Sequence, residues 1–260
     1  MANLPSPVSS SDLSGKVAIV TGGGSGIGRA SSLAFAQVGA HVVVAGRTLG
    51  KVAEVAEEIK EHGGTALPAA VDVSKGADVQ RMIALAVETY GGVDVLFNNA
   101  GISPVGSVTE ITEDEWDQCL AIDLRSVFLG AKYVIPELKR RGGGVILSTA
   151  GTFGLRPGRN KAAYATAKAG VINLTRAIAL DYARDRIRCN AVCPGYVDTP
   201  LNAGFAIDQR DHFLAARQPL PGLIQAEEVA SLVVYLASDA AKMITGQALL
   251  IDGGQQVGLF

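Results

Sequence analysis

Seven short runs of apolar, largely β-branched residues recur along the chain, at 17–20, 42–44, 66–71, 93–97, 145–147, 187–192 and 248–251. Runs of this length that are apolar throughout suit strands buried on both faces. Longer stretches with helical spacing lie between them, as in Ile27, Ala30, Ala34 and Val38, then Val52, Val55, Ala56 and Ile59. Each of these offers one apolar face to such a sheet. Strand and helix in alternation require a parallel sheet whose crossover helices cover both faces. The sequence therefore predicts an α/β fold, doubly wound, around a seven-stranded parallel sheet.

Composition agrees with one such unit. Of 260 residues, 48% are apolar and 18% charged, enough to bury one large core. With 25 acids against 23 bases the net charge is −2, so the chain lacks the basic field that nucleic acid or an anionic membrane surface would call for. No stretch approaches eighteen apolar residues, so no membrane span is expected. Cys119, Cys189 and Cys193 are an odd number without metal-ligand spacing, which suits a reducing compartment and points to a soluble cytoplasmic protein. Residues 1–14 read as a flexible leader and 15–260 as a single domain. The least regular connection, about 200–222, carries Pro219 and Pro221 and reads as a lid or substrate loop.

The first run ends in Thr21-Gly22-Gly23-Gly24-Ser25-Gly26-Ile27-Gly28, and a helical stretch follows at once. A glycine-rich turn between strand and helix lets backbone approach a phosphate and aims free N–H groups and the helix dipole at it. The pattern Thr-Gly-x3-Gly-x-Gly resembles that of the short-chain dehydrogenase/reductase family. Asn98-Asn99-Ala100-Gly101, Tyr164-x3-Lys168, Pro194-Gly195 and Asp252-Gly253-Gly254 follow in the family's order. The resemblance extends from about Gly15 to Gly254 and implies a Rossmann-like fold binding a nicotinamide dinucleotide. It implies cofactor contacts from Gly22, Gly24, Ser25, Gly26, Ile27 and Gly28. It also implies contacts from Asp72 and Val73 near the adenine, and from Asn99, Ala100 and Gly101 near its ribose. Near the nicotinamide it implies Tyr164, Lys168, Pro194, Gly195, Val197 and Thr199.

The second run closes on Ala45-Gly46-Arg47-Thr48. NAD users place an acid there to accept from both ribose hydroxyls. Here the acid is missing and Arg47 stands beside the gap, with Thr48 offering a hydroxyl. A guanidinium fork pairs well with a 2′-phosphate, so NADP(H) is favoured over NAD(H). The alternative is that Arg47 is a solvated loop base and NAD binds without an acid. Asp72 likewise has a second reading, as a turn cap.

Tyr164 and Lys168 lie four apart in the helical stretch 162–182 and share one face. The family's chemistry implies Tyr164 as the proton donor and acceptor in a transfer between a secondary alcohol and a ketone, with Lys168 supporting its ionisation. Two reacting positions depart from the family pattern. Counted without a gap from Tyr164, the carbonyl-binding serine falls on Gly151, whereas a gapped alignment puts Ser148-Thr149 at the serine pair; the asparagine falls on Asp123, a carboxylate that would hold the Lys168 ammonium. A working enzyme then needs another hydroxyl, with Thr152 first and Thr149 second in expectation. The competing reading is a dinucleotide-binding protein with weakened chemistry. Gly151, Thr152 and Tyr196 are the candidate substrate contacts, with Phe153, Arg156, Phe205 and His212 further along the pocket. Arg156 and Arg159 offer charge for a substrate carboxylate. The family also implies a homotetramer pairing helices at 114–139 and 162–182, to which an apolar surplus at Val127, Leu129, Val134 and Ile178 would contribute.

Overall fold

The computed structural model describes residues 12–203 and 216–257. Phe205, His212, leader residues 1–11 and the middle of the 200–222 connection lie outside the described residues.

Seven parallel strands form one sheet in the order β3-β2-β1-β4-β5-β6-β7. They are β1 (Val17–Thr21), β2 (His41–Gly46), β3 (Thr65–Ala70), β4 (Val95–Asn98), β5 (Gly144–Thr149), β6 (Ile187–Pro194) and β7 (Ala248–Ile251). Every apolar run of the sequence coincides with a strand, with ends moved by at most two residues. Ladder pairing, not apolarity, ends a strand: Val93 is fully buried yet precedes β4. Pro68 has no N–H to give, and it sits in β3 at the sheet edge, where none is needed on the outer side.

Strand alternation sorts the core into two layers. Ala18, Val20, Val42, Val44 and Leu147 face α1 (Gly26–Gln37), α2 (Leu49–Glu61) and α7 (Ala226–Ala237). Val17, Ile19, Val43, Leu96 and Ile146 face α3 (Gly76–Tyr90), α5 (Ser126–Arg140) and the far end of α6 (Ala162–Tyr182). The fold is the Rossmann-like, doubly wound class. Because strand order reverses direction at the β1–β4 pair, a crevice opens beyond their C-terminal ends.

Helix α4 (Glu113–Leu120) begins with a capping box: Thr112 Oγ1 accepts from the Glu115 amide at 3.2 Å, and Glu115 Oε2 accepts from the Thr112 amide at 2.9 Å. A π turn over Ala121–Arg125 then joins α4 to α5. That wider turn carries Ile122 and Asp123 into the interior. The expected apolar surplus on these helices is not a surplus. Val127, Leu129, Val134 and Ile178 are buried within the protomer, so they are unavailable to a subunit interface. No helix among the described residues is long and apolar enough to cross a membrane.

Candidate active site

The turn after β1 is built on backbone closeness. A Cβ on Gly28 would lie 2.1 Å from the Gly22 carbonyl oxygen and 2.7 Å from Asn99 Nδ2, so only glycine fits. Gly22 has φ +67°, and a Cβ there would meet the Ala100 backbone at 3.0 Å. Thr21 Oγ1 binds the two loops together, accepting from the amides of Asn99 at 3.0 Å and Ala100 at 3.2 Å. The side-chain amide of Asn99 donates to the Thr21 carbonyl at 3.2 Å. At the helix itself, Ser25 makes no side-chain cap and the first turn of α1 holds no acid. The opening N–H groups of α1 are thus left for an anion, which fits a dinucleotide pyrophosphate. A Cβ on Gly26 would come within 3.0 Å of Thr199 Cγ2, so the segment after β6 rests on this turn.

At the end of β2, Gly46 is backed by Val52, whose Cγ1 would be 3.0 Å from a Cβ there, leaving little room for an acidic side chain. Arg47 and Thr48 are exposed, and Arg47 has no ion pair among the described residues. Asp72 is turned to local work. Its Oδ1 accepts from the Ser74 hydroxyl at 2.7 Å and amide at 3.1 Å, and its Oδ2 lies 3.4 Å from Lys75 Nζ. The Ser74 hydroxyl above all holds its carboxyl below the usual range. Val73 is buried beside it.

Helix α6 carries Tyr164 and Lys168 beneath the ends of β4 and β5. Lys168 is buried; its Nζ stands 3.0 Å from Asp123 Oδ2 and donates to the Thr149 carbonyl at 2.9 Å. Asp123 Oδ1 accepts from the Ile102 amide at 2.8 Å, so the carboxylate is fixed from two sides. The Lys168 ammonium lies 5.5 Å from the centroid of the Tyr164 ring, and Phe153 meets that ring edge-on at 6.3 Å. Burial alone would lower the Lys168 pKa, but the negative charges at Asp123 and Tyr164 carry it above the ordinary lysine value. The Tyr164 phenol is raised by burial; Lys168 opposes this and Asp123 adds to it.

Gly151 has φ +71°, and a Cβ there would point to within 3.3 Å of the Tyr164 hydroxyl. As glycine, this position puts no side chain beside the phenol. Thr152 follows, 4% exposed, at the start of a short 3₁₀ turn over Thr152–Gly154; its hydroxyl has no hydrogen bond among the described residues. The Thr149 hydroxyl is engaged by Asn99, donating to its Oδ1 at 3.1 Å. Tyr196 donates its hydroxyl to the Asn202 carbonyl at 3.1 Å, which ties it to the start of the 200–222 connection. Pro194 ends β6, Gly195 is half-buried and Val197 buried, and the Gly195 amide bonds the Ile251 carbonyl at 2.9 Å. Arg156 and Arg159 are exposed on the loop before α6. The three cysteines are free and buried. Burial pushes the Cys119 thiol, the one near Asp123 and Lys168, up to about 12, so it is not a nucleophile.

Comparison with known proteins agrees with this fold. The family model described as enoyl-(acyl carrier protein) reductase matches residues 22–256. Cyclohexanol dehydrogenase of Acinetobacter sp. (strain SE19) is 38% identical over 247 residues, covering 95% of this chain and 97% of that protein. Cis-4-hydroxycyclohexanecarboxylate dehydrogenase of Sinomonas cyclohexanicum is 41% identical over 244 residues, covering 92% and 96%. The crystal structure of a short-chain type dehydrogenase/reductase from Mycobacterium marinum aligns with TM-score 0.90 at 35% identity, covering 95% of this chain and 98% of that one. The chain belongs to the short-chain dehydrogenase/reductase family. It is an NAD(P)-dependent oxidoreductase.

Proposed function

We propose that this protein transfers a hydride between NADP(H) and a small secondary alcohol or ketone, with Tyr164 as the acid and base. The observation that carries the reading is the series of half-buried Tyr164 with buried Lys168 and Asp123 beside Gly151. When bound, the cofactor accepts or supplies the hydride. The residues of this chain manage the proton. The Tyr164 hydroxyl gives it to, or takes it from, the substrate oxygen. Lys168 favours the phenolate, while Asp123 keeps the ammonium charged and in place. Thr152 supplies the hydrogen bond to the substrate oxygen that Gly151 lacks. The names of the relatives, cyclohexanol dehydrogenase and cis-4-hydroxycyclohexanecarboxylate dehydrogenase, support a secondary alcohol on an alicyclic ring.

The exposed Arg47 beside the acid-free Gly46 supports NADP(H) as the preferred cofactor. Titration should show NADP(H) bound at least about tenfold more tightly than NAD(H), with Arg47→Ala erasing most of the gap, since a charged hydrogen-bonded contact contributes about 1.5–3 kcal/mol. Equal affinities in the unmodified protein would sink the preference. A second reading, dinucleotide binding with weakened turnover, is favoured by the absent hydroxyl at Gly151 alone. Turnover of cyclohexanone or cyclohexanol by the unmodified protein separates the two. We further infer a cytoplasmic homotetramer. With the buried residues of α5 and α6 unavailable, Phe128 and Leu180, 47% and 82% exposed, are the apolar side chains these helices leave for a second copy.

A further inference from the structure

Lys161 is the residue that opens onto α6, three positions before Tyr164 and seven before Lys168. The two ammonium groups differ in their surroundings. Lys168 is satisfied, with Asp123 Oδ2 at 3.0 Å and the Thr149 carbonyl at 2.9 Å. Lys161 is half-buried and held by Ser103 alone, whose hydroxyl accepts at 2.7 Å and whose carbonyl accepts at 3.4 Å. Among the described residues no carboxylate lies within ion-pair distance of it; Lys51, Lys132 and Lys242 also lack one but are exposed, while Lys16, Lys60, Lys75, Lys139 and Lys168 are paired. Burial lowers its pKa from the ordinary lysine value.

A partly buried cation without a counter-charge is unfavourable, and the cost falls when an anion arrives. The location decides which anion. Ser103 lies two residues beyond Gly101, in the segment that leaves β4 past the cofactor crevice. The Gly106 amide donates to the Asn160 carbonyl at 2.9 Å, so that segment and the start of α6 are joined beside Tyr164. Lys161 precedes Tyr164 by three residues, less than one helical turn. Arg156 and Arg159 on the neighbouring loop are exposed, where solvent screens their charge.

We propose that Lys161, together with Ser103, anchors a carboxylate of the substrate, so that the molecule whose oxygen meets Tyr164 is a hydroxy acid or oxo acid. The inference rests on the proposed function for which end of the substrate reacts, and it makes Lys161 the residue that sets specificity at the other end. The oxygen that exchanges a proton with Tyr164 and the carboxylate that meets Lys161 are then a few bonds apart on one small molecule.

The test is calorimetric titration of the NADPH-loaded protein with cyclohexanecarboxylate, which has no reacting oxygen, and with cyclohexanol. The carboxylate should bind at least about tenfold more tightly, the scale of one hydrogen bond to a charged group. Lys161→Met should remove that difference and Lys161→Arg should retain it. Tyr164→Phe separates this inference from the catalytic reading, because carboxylate preference should persist there whatever happens to turnover. Equal binding of the two probes in the unmodified protein, or a preference that survives Lys161→Met, overturns the anchor.

Discussion

The two ends of the crevice are constructed differently. The cofactor end is made of backbone: Gly22 and Gly28 admit the loops after β1 and β4 to within van der Waals contact, and any Cβ at Gly28 collides with a carbonyl 2.1 Å away. The reacting end is made of side chains, and there two positions differ from the family pattern, Gly151 for a serine and Asp123 for an asparagine. Where a function depends on atoms that every residue has, change is barred by sterics and the motif stays legible. Where it depends on one hydroxyl or one amide, a neighbour such as Thr152 or an ion pair such as Asp123 with Lys168 can take over.

The largest expected effect therefore lies at the cofactor end. Gly28→Ala should abolish detectable NADPH binding in a fluorescence titration and lower the thermal midpoint, because the new methyl group has no free direction to move. Binding at the unmodified level would break the contrast between the two ends.

At the reacting end a single loss should be smaller and recoverable. Thr152→Val keeps the shape and removes the donor, and it should lower kcat at least about tenfold with cofactor affinity unchanged, against roughly 10²–10³ for loss of one such donor in a dry site. Gly151→Ser should add little, since its φ of +71° strains an L side chain and its Cβ would stand 3.3 Å from the Tyr164 hydroxyl. A neutral Thr152→Val together with a large gain from Gly151→Ser would show that nothing had replaced the serine.

The architecture was legible because its signals are periodic. Alternating short apolar runs and helical stripes specify the sheet, and the 162–182 stretch predicted as helical coincides with α6 (Ala162–Tyr182). The site was legible in its motifs but not in its pairings. Nothing in the sequence distinguishes a π turn from α-helix, yet that turn buries Asp123 beneath Lys168. Strand alternation places Thr149 and Gly151 on one face, but only coordinates show the Thr149 hydroxyl committed to Asn99. Lys161 carries no signal in the sequence, because a lysine before a helix is ordinarily solvated; its missing counter-charge is a three-dimensional property. Apolar residues on α5 and α6 suggested an interface because a one-dimensional pattern does not distinguish core from subunit contact.

The smallest expected effect is a displacement of pH dependence. Burial raises the Tyr164 phenol, Lys168 lowers it, and Asp123 raises it again. Asp123→Asn removes the largest raising contribution after burial, so the phenolate should form at lower pH. The rising limb of kcat/KM for alcohol oxidation against pH should accordingly move toward acid. A profile displaced toward alkali would contradict the assignment of Asp123 as the group that restrains Tyr164.

The central claim is that Tyr164 carries the proton, and Tyr164→Phe tests it most directly because the ring and its contact with Phe153 are kept while the hydroxyl is removed. NADPH should bind to this variant as to the unmodified protein, and steady-state reduction of cyclohexanone should fall by at least about two decades, the ordinary scale of general acid–base assistance. Turnover within a few-fold of the unmodified protein, with cofactor binding intact, would contradict the account and move the chemistry away from α6.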